Sequence, residues 1–303
     1  MNAPLLVLLA VTGFVAAAPC SFAEDAKTYT IKVKRDPKVG GKSHEHLKMT
    51  SEQSQKLTLG GKKLKEESED LKGELTGIIE VLELSPHKKA TKIKFTVEQF
   101  SFQKDVDTEQ NPLKAGTVII GTLEADGKEA YSADDKKVEG PAEKVLKSLL
   151  DLNPDKENES SDDIVFGTNQ PRAVGSEWDV NKAAMLKSLP GDMPFKLTEK
   201  DISGKVRFPS VKVIDGKDHC LVRAEVKIIP RELKGMPPSF KASKAVMTVS
   251  MEKLAPVDEK LSTPEEKQTF EMALNGTIDS PDGKVLMETF TREERQRESK
   301  PVK

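Results

Sequence analysis

The chain has 303 residues, with 48 Lys and Arg against 50 Asp and Glu and a formal net charge of −2. That balance gives no electrostatic reason to expect nucleic acid or an anionic membrane surface as a partner. An aromatic content of 5%, with one Trp, argues against a stacking platform for bases or sugars, while the length suffices for two modest domains or one large sheet protein.

Residues 1–23 carry no charged side chain, and Leu5 to Ala18 form an almost continuous apolar run too short to span a bilayer comfortably. With Ser21-Phe22-Ala23 before Glu24, the run predicts a secretory signal peptide over 1–23. The mature chain is then extracytoplasmic, periplasmic or secreted, and has no transmembrane segment. Lipid anchoring at Cys20 is disfavoured by Pro19, which replaces the small residue that such processing prefers. Cleavage leaves Cys220 as the last cysteine, so an intramolecular disulfide is excluded. Cys220 lies in the alternating run Cys220, Val222, Ala224, Val226, Ile228, interleaved with Arg223, Glu225 and Lys227, which predicts a buried thiol on a core-facing strand.

Strand signals of period two dominate the chain beyond the leader. Tyr29, Ile31 and Val33 alternate with polar residues. Gly60-Gly61 between Leu57, Leu59 and Leu64 predicts a hairpin, and the charge blocks of Lys62 to Glu74 predict a solvated or edge strand. Ile93, Phe95 and Val97 share one parity, and Phe100 and Phe102 carry the other. A bulge near Glu98-Gln99 would return all five to one face. Val206 and Phe208 switch to Val211 and Val213 across Pro209-Ser210 in the same way. Ala245, Met247, Val249 and Met251 complete the set. Pro230 to Ser239 reads as a crossing loop.

Two helices are predicted. One starts at Pro141 and turns Val145, Leu146, Leu149 and Leu150 to one side. The other is capped by Asn181 and carries Ala184, Met185, Leu186 and Leu189. Each either closes an open sheet face or acts as a lid over an apolar pocket.

Three landmarks recur in the same order and suggest an internal duplication. They are Val39-Gly40 against Val174-Gly175, Leu75-Thr76-Gly77-Ile78 against Ile202-Ser203-Gly204-Lys205-Val206, and Gly121-Thr122 followed by Asp126-Gly127-Lys128 against Gly276-Thr277 followed by Asp282-Gly283-Lys284. The expected fold is mainly β (α+β), with two repeated antiparallel curved-sheet halves and about one short helix in each. The boundaries are a signal peptide at 1–23, a first β-rich repeat at 24–152, a polar linker at 153–163, a second repeat at 164–290 and a charged, frayed tail at 291–303.

Several stretches carry a resemblance. Gly60-Gly61-Lys62-Lys63, Ala90-Thr91-Lys92 leading to Val97-Glu98-Gln99-Phe100, Asp163-Ile164-Val165-Phe166-Gly167 and Val174-Gly175-Ser176-Glu177-Trp178, placed behind a leader, resemble uncharacterised secreted β-rich proteins common in planctomycete bacteria. The resemblance covers most of the mature chain and implies a bacterial extracytoplasmic protein, and it brings no known activity or site residues. In that setting the sequons at Asn158 and Asn275 read as turn chemistry.

No nucleophile elbow, phosphate loop or distinct carboxylate pair stands out. His44-Glu45-His46 would put two imidazoles on one face of a strand, and His219 is a remote third candidate for a metal; a solvated edge is the preferred reading. Trp178, flanked by Glu177 and Asp179, is expected to anchor the core between the two halves, at a truncation cost of about 3–5 kcal/mol, with ligand stacking as the alternative. Phe95, Phe100, Phe102, Met247 and Met251 are the other candidates for contact with an apolar ligand. Together these features point to a non-enzymatic extracytoplasmic binding or envelope-associated structural protein of unknown partner, with no cofactor. The alternatives are a carrier of an apolar ligand, lipid or lipoprotein, in a helix-covered half-barrel, and an exported hydrolase.

Overall fold

The computed structural model describes residues 27–34, 36–150, 152, 160–189, 193, 195–258 and 260–302. The expected leader, Cys20, Asn158 and most of the polar linker lie outside these residues.

The described chain is mainly β. In order it forms β1 (Thr28–Tyr29), β2 (Lys42–Leu59), β3 (Lys62–Leu84), β4 (Ala90–Lys104), β5 (Val118–Leu123), β6 (Glu129–Ala133) and β7 (Lys136–Lys137). Then come α1 (Pro141–Leu150), α2 (Asp162–Val165), β8 (Arg172–Ala173), β9 (Glu177–Asp179), α3 (Lys182–Ser188) and β10 (Phe195–Lys196). The last six strands are β11 (Ile202–Ile214), β12 (Lys217–Ile228), β13 (Glu232–Leu233), β14 (Phe240–Pro256), β15 (Glu265–Ser280) and β16 (Gly283–Pro301).

Twelve of the strands make one antiparallel sheet in the order β7-β6-β5-β4-β3-β2-β16-β15-β14-β12-β11-β9, and β1-β8 and β10-β13 form two small ribbons. The chain runs outward from β2 to one edge, crosses to β9 at the other, and returns strand by strand until β16 pairs with β2 from Val285↔Leu59 to Pro301↔Ser43. Thr291 to Pro301, expected as a frayed tail, is therefore strand, with a neighbour on each side as far as Glu298 and β2 alone beyond it. Its polar side chains gave no strand signal, because a strand in the middle of a sheet is held by its backbone ladder whatever its side chains are.

Local chemistry explains the turns and bends. Gly60 and Gly61 take φ of +55° and +81° at the β2–β3 turn, the mirror-image conformation that a two-residue hairpin demands. The register of β3 on β4 slips at Glu98, between Thr76↔Gln99 and Gly77↔Val97. Phe95, Phe100 and Phe102 consequently share a core, as the parity switch predicted. A second slip falls across Pro209, between Arg207↔Arg223 and Ser210↔Leu221. There the expectation holds for Val206 and Phe208, which are fully buried, and fails for Val213, which is 68% exposed because β11 runs past the core at its tip. Asn275 to Thr277, expected in a turn, lies inside β15, where Gly276 leaves room for the Phe240 ring: a Cβ there would come within 2.4 Å of it.

Both predicted helices form and are joined by the four-residue α2. Helix α1 buries Ala142, Val145, Leu146, Leu149 and Leu150. It seats closely because β3 carries Gly73 beneath it, where a Cβ would stand 2.3 Å from Val145 Cγ1. Asn181 caps α3, its side chain accepting from the Ala184 amide at 3.1 Å.

One row of cross-strand neighbours shows how the core is divided. Trp178, Val206, Ala224, Met251, Gln268, Arg295, Met49, Gly73 and Phe102 lie side by side on one face. Both ends of this row are apolar and its centre is polar. A first cluster around Leu75, Phe95 and Phe100 lies under α1, and a second around Phe208, Val222 and Met247 lies under α2, α3 and the segment holding Ile31 and Val33. Between them the floor is charged, so each cluster is covered by its own helices.

Candidate ligand-binding groove

The opposite face of the sheet is largely polar. Its neighbouring row reads Glu177, Arg207, Arg223, Glu252, Lys267, Gln296, Lys48, Glu74 and Ser101. Over β9, β11, β12, β14 and β15 this face forms an open groove of about 850 Å³, bordered by Lys182 at the start of α3. Its lining includes six cationic side chains, Lys182, Lys205, Arg207, Arg223, Lys227 and Lys267, against three carboxylates, Asp179, Glu225 and Glu252, and contains no aromatic residue.

Strand periodicity puts these groups on one face, and the slip at Pro209 sets their register, bringing Arg207 directly opposite Arg223. Like charges facing across a ladder repel, and each guanidinium is steadied by its own carboxylate. Arg207 Nε donates to Glu177 at 2.8 Å and Arg223 Nε to Glu252 at 2.6 Å. The Arg207 hydrogen bond and charge lower the Glu177 carboxyl from its ordinary value. Lys205 lies 3.0 Å from Asp179, and Lys267 lies 2.7 Å from Glu294. Lys182 and Lys227 make no ion pair among the described residues. Such a surface can receive acceptor oxygens of an anion without first breaking a buried contact.

The polar floor between the two cores is more tightly engaged. Glu45 has no solvent exposure and accepts from Arg297 Nε at 2.8 Å, Arg297 Nη2 at 2.9 Å, Ser299 Oγ at 2.8 Å and Ser43 Oγ. Lys253 and Glu266 pair at 2.9 Å while mostly buried. Burial alone would push the Glu266 carboxyl up, but Lys253 and Gln268 together draw it below its ordinary value. The nearby Asp162 carboxyl is pushed up, chiefly by desolvation.

The residues singled out from sequence are not brought together. Phe95, Phe100 and Phe102 are packed inside the first core, and Met247 and Met251 inside the second. Cys220 is buried on β12, on the face of Val222 and Ala224. His44 and His46 share the polar face of β2 and pair with Glu98 at 2.8 Å and Glu74 at 2.6 Å, whereas Glu45 between them points into the sheet's other side. His219 is buried on β12, with four strands of the sheet between it and β3. Among the described residues no group of three or more His, Cys, Asp or Glu is arranged to hold a metal.

Trp178 departs from expectation. It lies on β9, an edge strand of the large sheet, and not between the two apolar clusters. The ring is half-buried against the second core, with Nε1 donating to the Phe166 carbonyl at 3.2 Å and the Arg172 guanidinium 5.7 Å from the ring centroid. Trp178→Ala is accordingly expected to cost about 1–2 kcal/mol, below the full core-truncation range. Paired thermal melts of wild type and variant check this, and a loss above about 3 kcal/mol would restore the core-anchor reading.

The groove residues that the sequence alone did not mark are Arg207, Arg223 and their neighbours. Their alternation was visible, but their meeting across strands depends on register.

No family model and no curated protein matches the chain. Among solved structures it is similar to DynF from the dynemicin biosynthesis pathway of Micromonospora chersina, at 9% identity over 99% of this chain and 94% of that one, with a TM-score of 0.17. It is also similar to an outer membrane channel from Pseudomonas putida F1, at 8% identity over 88% of this chain and 97% of that one, with a TM-score of 0.19. Scores this low carry no argument about fold or function.

Proposed function

We propose that the chain is a non-enzymatic extracytoplasmic, envelope-associated binding protein whose groove holds an extended anionic ligand, an acidic polysaccharide. The observation behind this reading is an open groove lined by six cationic side chains, of which Lys182 and Lys227 make no ion pair among the described residues, on a chain whose net charge is −2. A groove without aromatic lining reads charge rather than ring faces, which favours a carboxylated or sulfated polymer over nucleic acid. The charge-free leader supports placement outside the cytoplasm.

The apolar-carrier alternative has less support. It needs a connected apolar cavity of roughly several hundred Å³, whereas the groove of about 850 Å³ is open and more than half of its lining residues are charged. The candidate Phe and Met side chains are spent on packing two separate cores. The duplication belongs to the same proposal: β2 to β7 and β9 to β16 each contribute six strands to the sheet and each lies under its own apolar cluster, although the second cluster also draws in Tyr29, Ile31 and Val33 from ahead of β2.

Titration of the mature chain with polygalacturonate, with neutral dextran as control, tests the function. Binding that weakens with added salt is expected for the acid polymer alone. Replacing both Arg207 and Arg223 by Ala should weaken it roughly 10- to 100-fold, the loss of one to two charge-assisted contacts. Equal retention of dextran, or unchanged affinity in the double variant, would sink the proposal.

A further inference from the structure

We infer that the free edge of the β2–β3 hairpin is a docking site for a second copy of this chain, by antiparallel pairing of Lys62–Glu69 with its symmetry mate. The site is independent of the groove, whose residues it does not use.

Strand β4 pairs with β3 from Leu71 to Leu84 and then stops at Lys104, leaving Lys62 to Glu69 with β2 as their one strand neighbour among the described residues. The open stretch ends where Asp105 donates its amide to the Asp70 carbonyl at 2.7 Å and accepts from the Asp70 amide at 2.8 Å. Beyond that point the sheet has an empty slot in line with β4. It is eight residues, roughly 26 Å, long at the usual strand rise. Lys62 to Ser68 are all exposed, and Glu69 is half-buried. An unpaired edge of this length is a template for strand addition.

Edge lysines ordinarily discourage such pairing, and here their order reverses the effect. The register of β3 on β2 slips at Leu64, between Leu57↔Lys65 and Thr58↔Lys63. The slip puts Lys62 on the same face as Lys65, Glu67 and Glu69, so that face reads two cations followed by two anions. An antiparallel copy centred on Glu66 sets Lys62 against Glu69 and Lys65 against Glu67, twice over, with the two slips matched. On the other face the two Glu66 carboxylates meet at the axis, and each has Lys63 at 2.6 Å to offset it. Parallel pairing would stack Lys62 on Lys62 and Glu69 on Glu69. Charge therefore selects one orientation, and the contact is isologous and closes at two chains.

The test is sedimentation velocity of the mature chain over a range of concentrations at low salt, with two variants whose changes all fall on the open edge. Wild type is expected to form a dimer. K62E/K65E has a nearly all-acidic edge and E67K/E69K a nearly all-basic one, so each alone should lose the dimer. Mixed in equal amounts, the two variants should recover it as a heterodimer. Circular dichroism matching wild type confirms that each variant is folded. A wild type that stays monomeric at every concentration, variants that dimerise alone as well as wild type, a mixture that fails to associate, or open-ended assembly in place of a closed dimer would each overturn the inference.

Discussion

Arg297→Ala is expected to lower the stability of the folded chain by about 3–5 kcal/mol, the range for stranding one member of a buried ion pair. The cost arises at Glu45, which is wholly shielded from solvent and takes two of its hydrogen bonds from this guanidinium, while Arg297 itself is half-exposed. Without the arginine, Ser299 and Ser43 are left to hold a carboxylate that water cannot reach. Replacing both partners by Leu should recover much of the loss, since an apolar pair of similar volume avoids the desolvation penalty. Urea unfolding of wild type, single and double variants measures this. A single-variant loss under about 1 kcal/mol would show that the pair does not hold the seam between β2 and β16.

Phe95→Ala is expected to cost a similar amount, about 3–5 kcal/mol, through lost burial and the cavity left behind. The ring is fully buried between strands at positions registered with Ile79 and Ile119, and it passes so close to Gly77 that a Cβ there would lie 2.7 Å from it. A ligand-contacting Phe in an open pocket would melt almost unchanged when truncated. Thermal unfolding of the ligand-free protein separates the two cases, and a near-identical melt would make Phe95 a candidate ligand contact again.

Features that a few neighbouring residues decide were legible in the sequence. The Gly60-Gly61 hairpin, the cap at Asn181 and the apolar face of α1 follow from local chemistry, and the two parity switches at Glu98 and Pro209 could be read because a bulge leaves its trace in the period-two pattern. Features set by distant pairing were hidden. Residues 291–301 show no apolar alternation, because the floor they cross lies between two cores. Trp178 follows the linker in sequence, which suggested a central place, yet the chain had already crossed to the far edge. Arg207 and Arg223 each read as a solvated charge, and a one-residue difference at Pro209 would have put Arg223 opposite something else.

The junction of β2 with β16 also bears on how the chain reaches this state. Its partners stand 252 residues apart at Arg297 and Glu45, while nearly every other ladder in the large sheet joins strands that are neighbours in sequence. Closing a loop of that size carries the greatest entropic penalty in the molecule and wins nothing until both halves are shaped. The meanders on either side can therefore condense first, each from local hairpins. Until β16 arrives, the inner side of β2 stays an unprotected template, and the buried Glu45–Arg297 pair acts as the latch that ends that exposure.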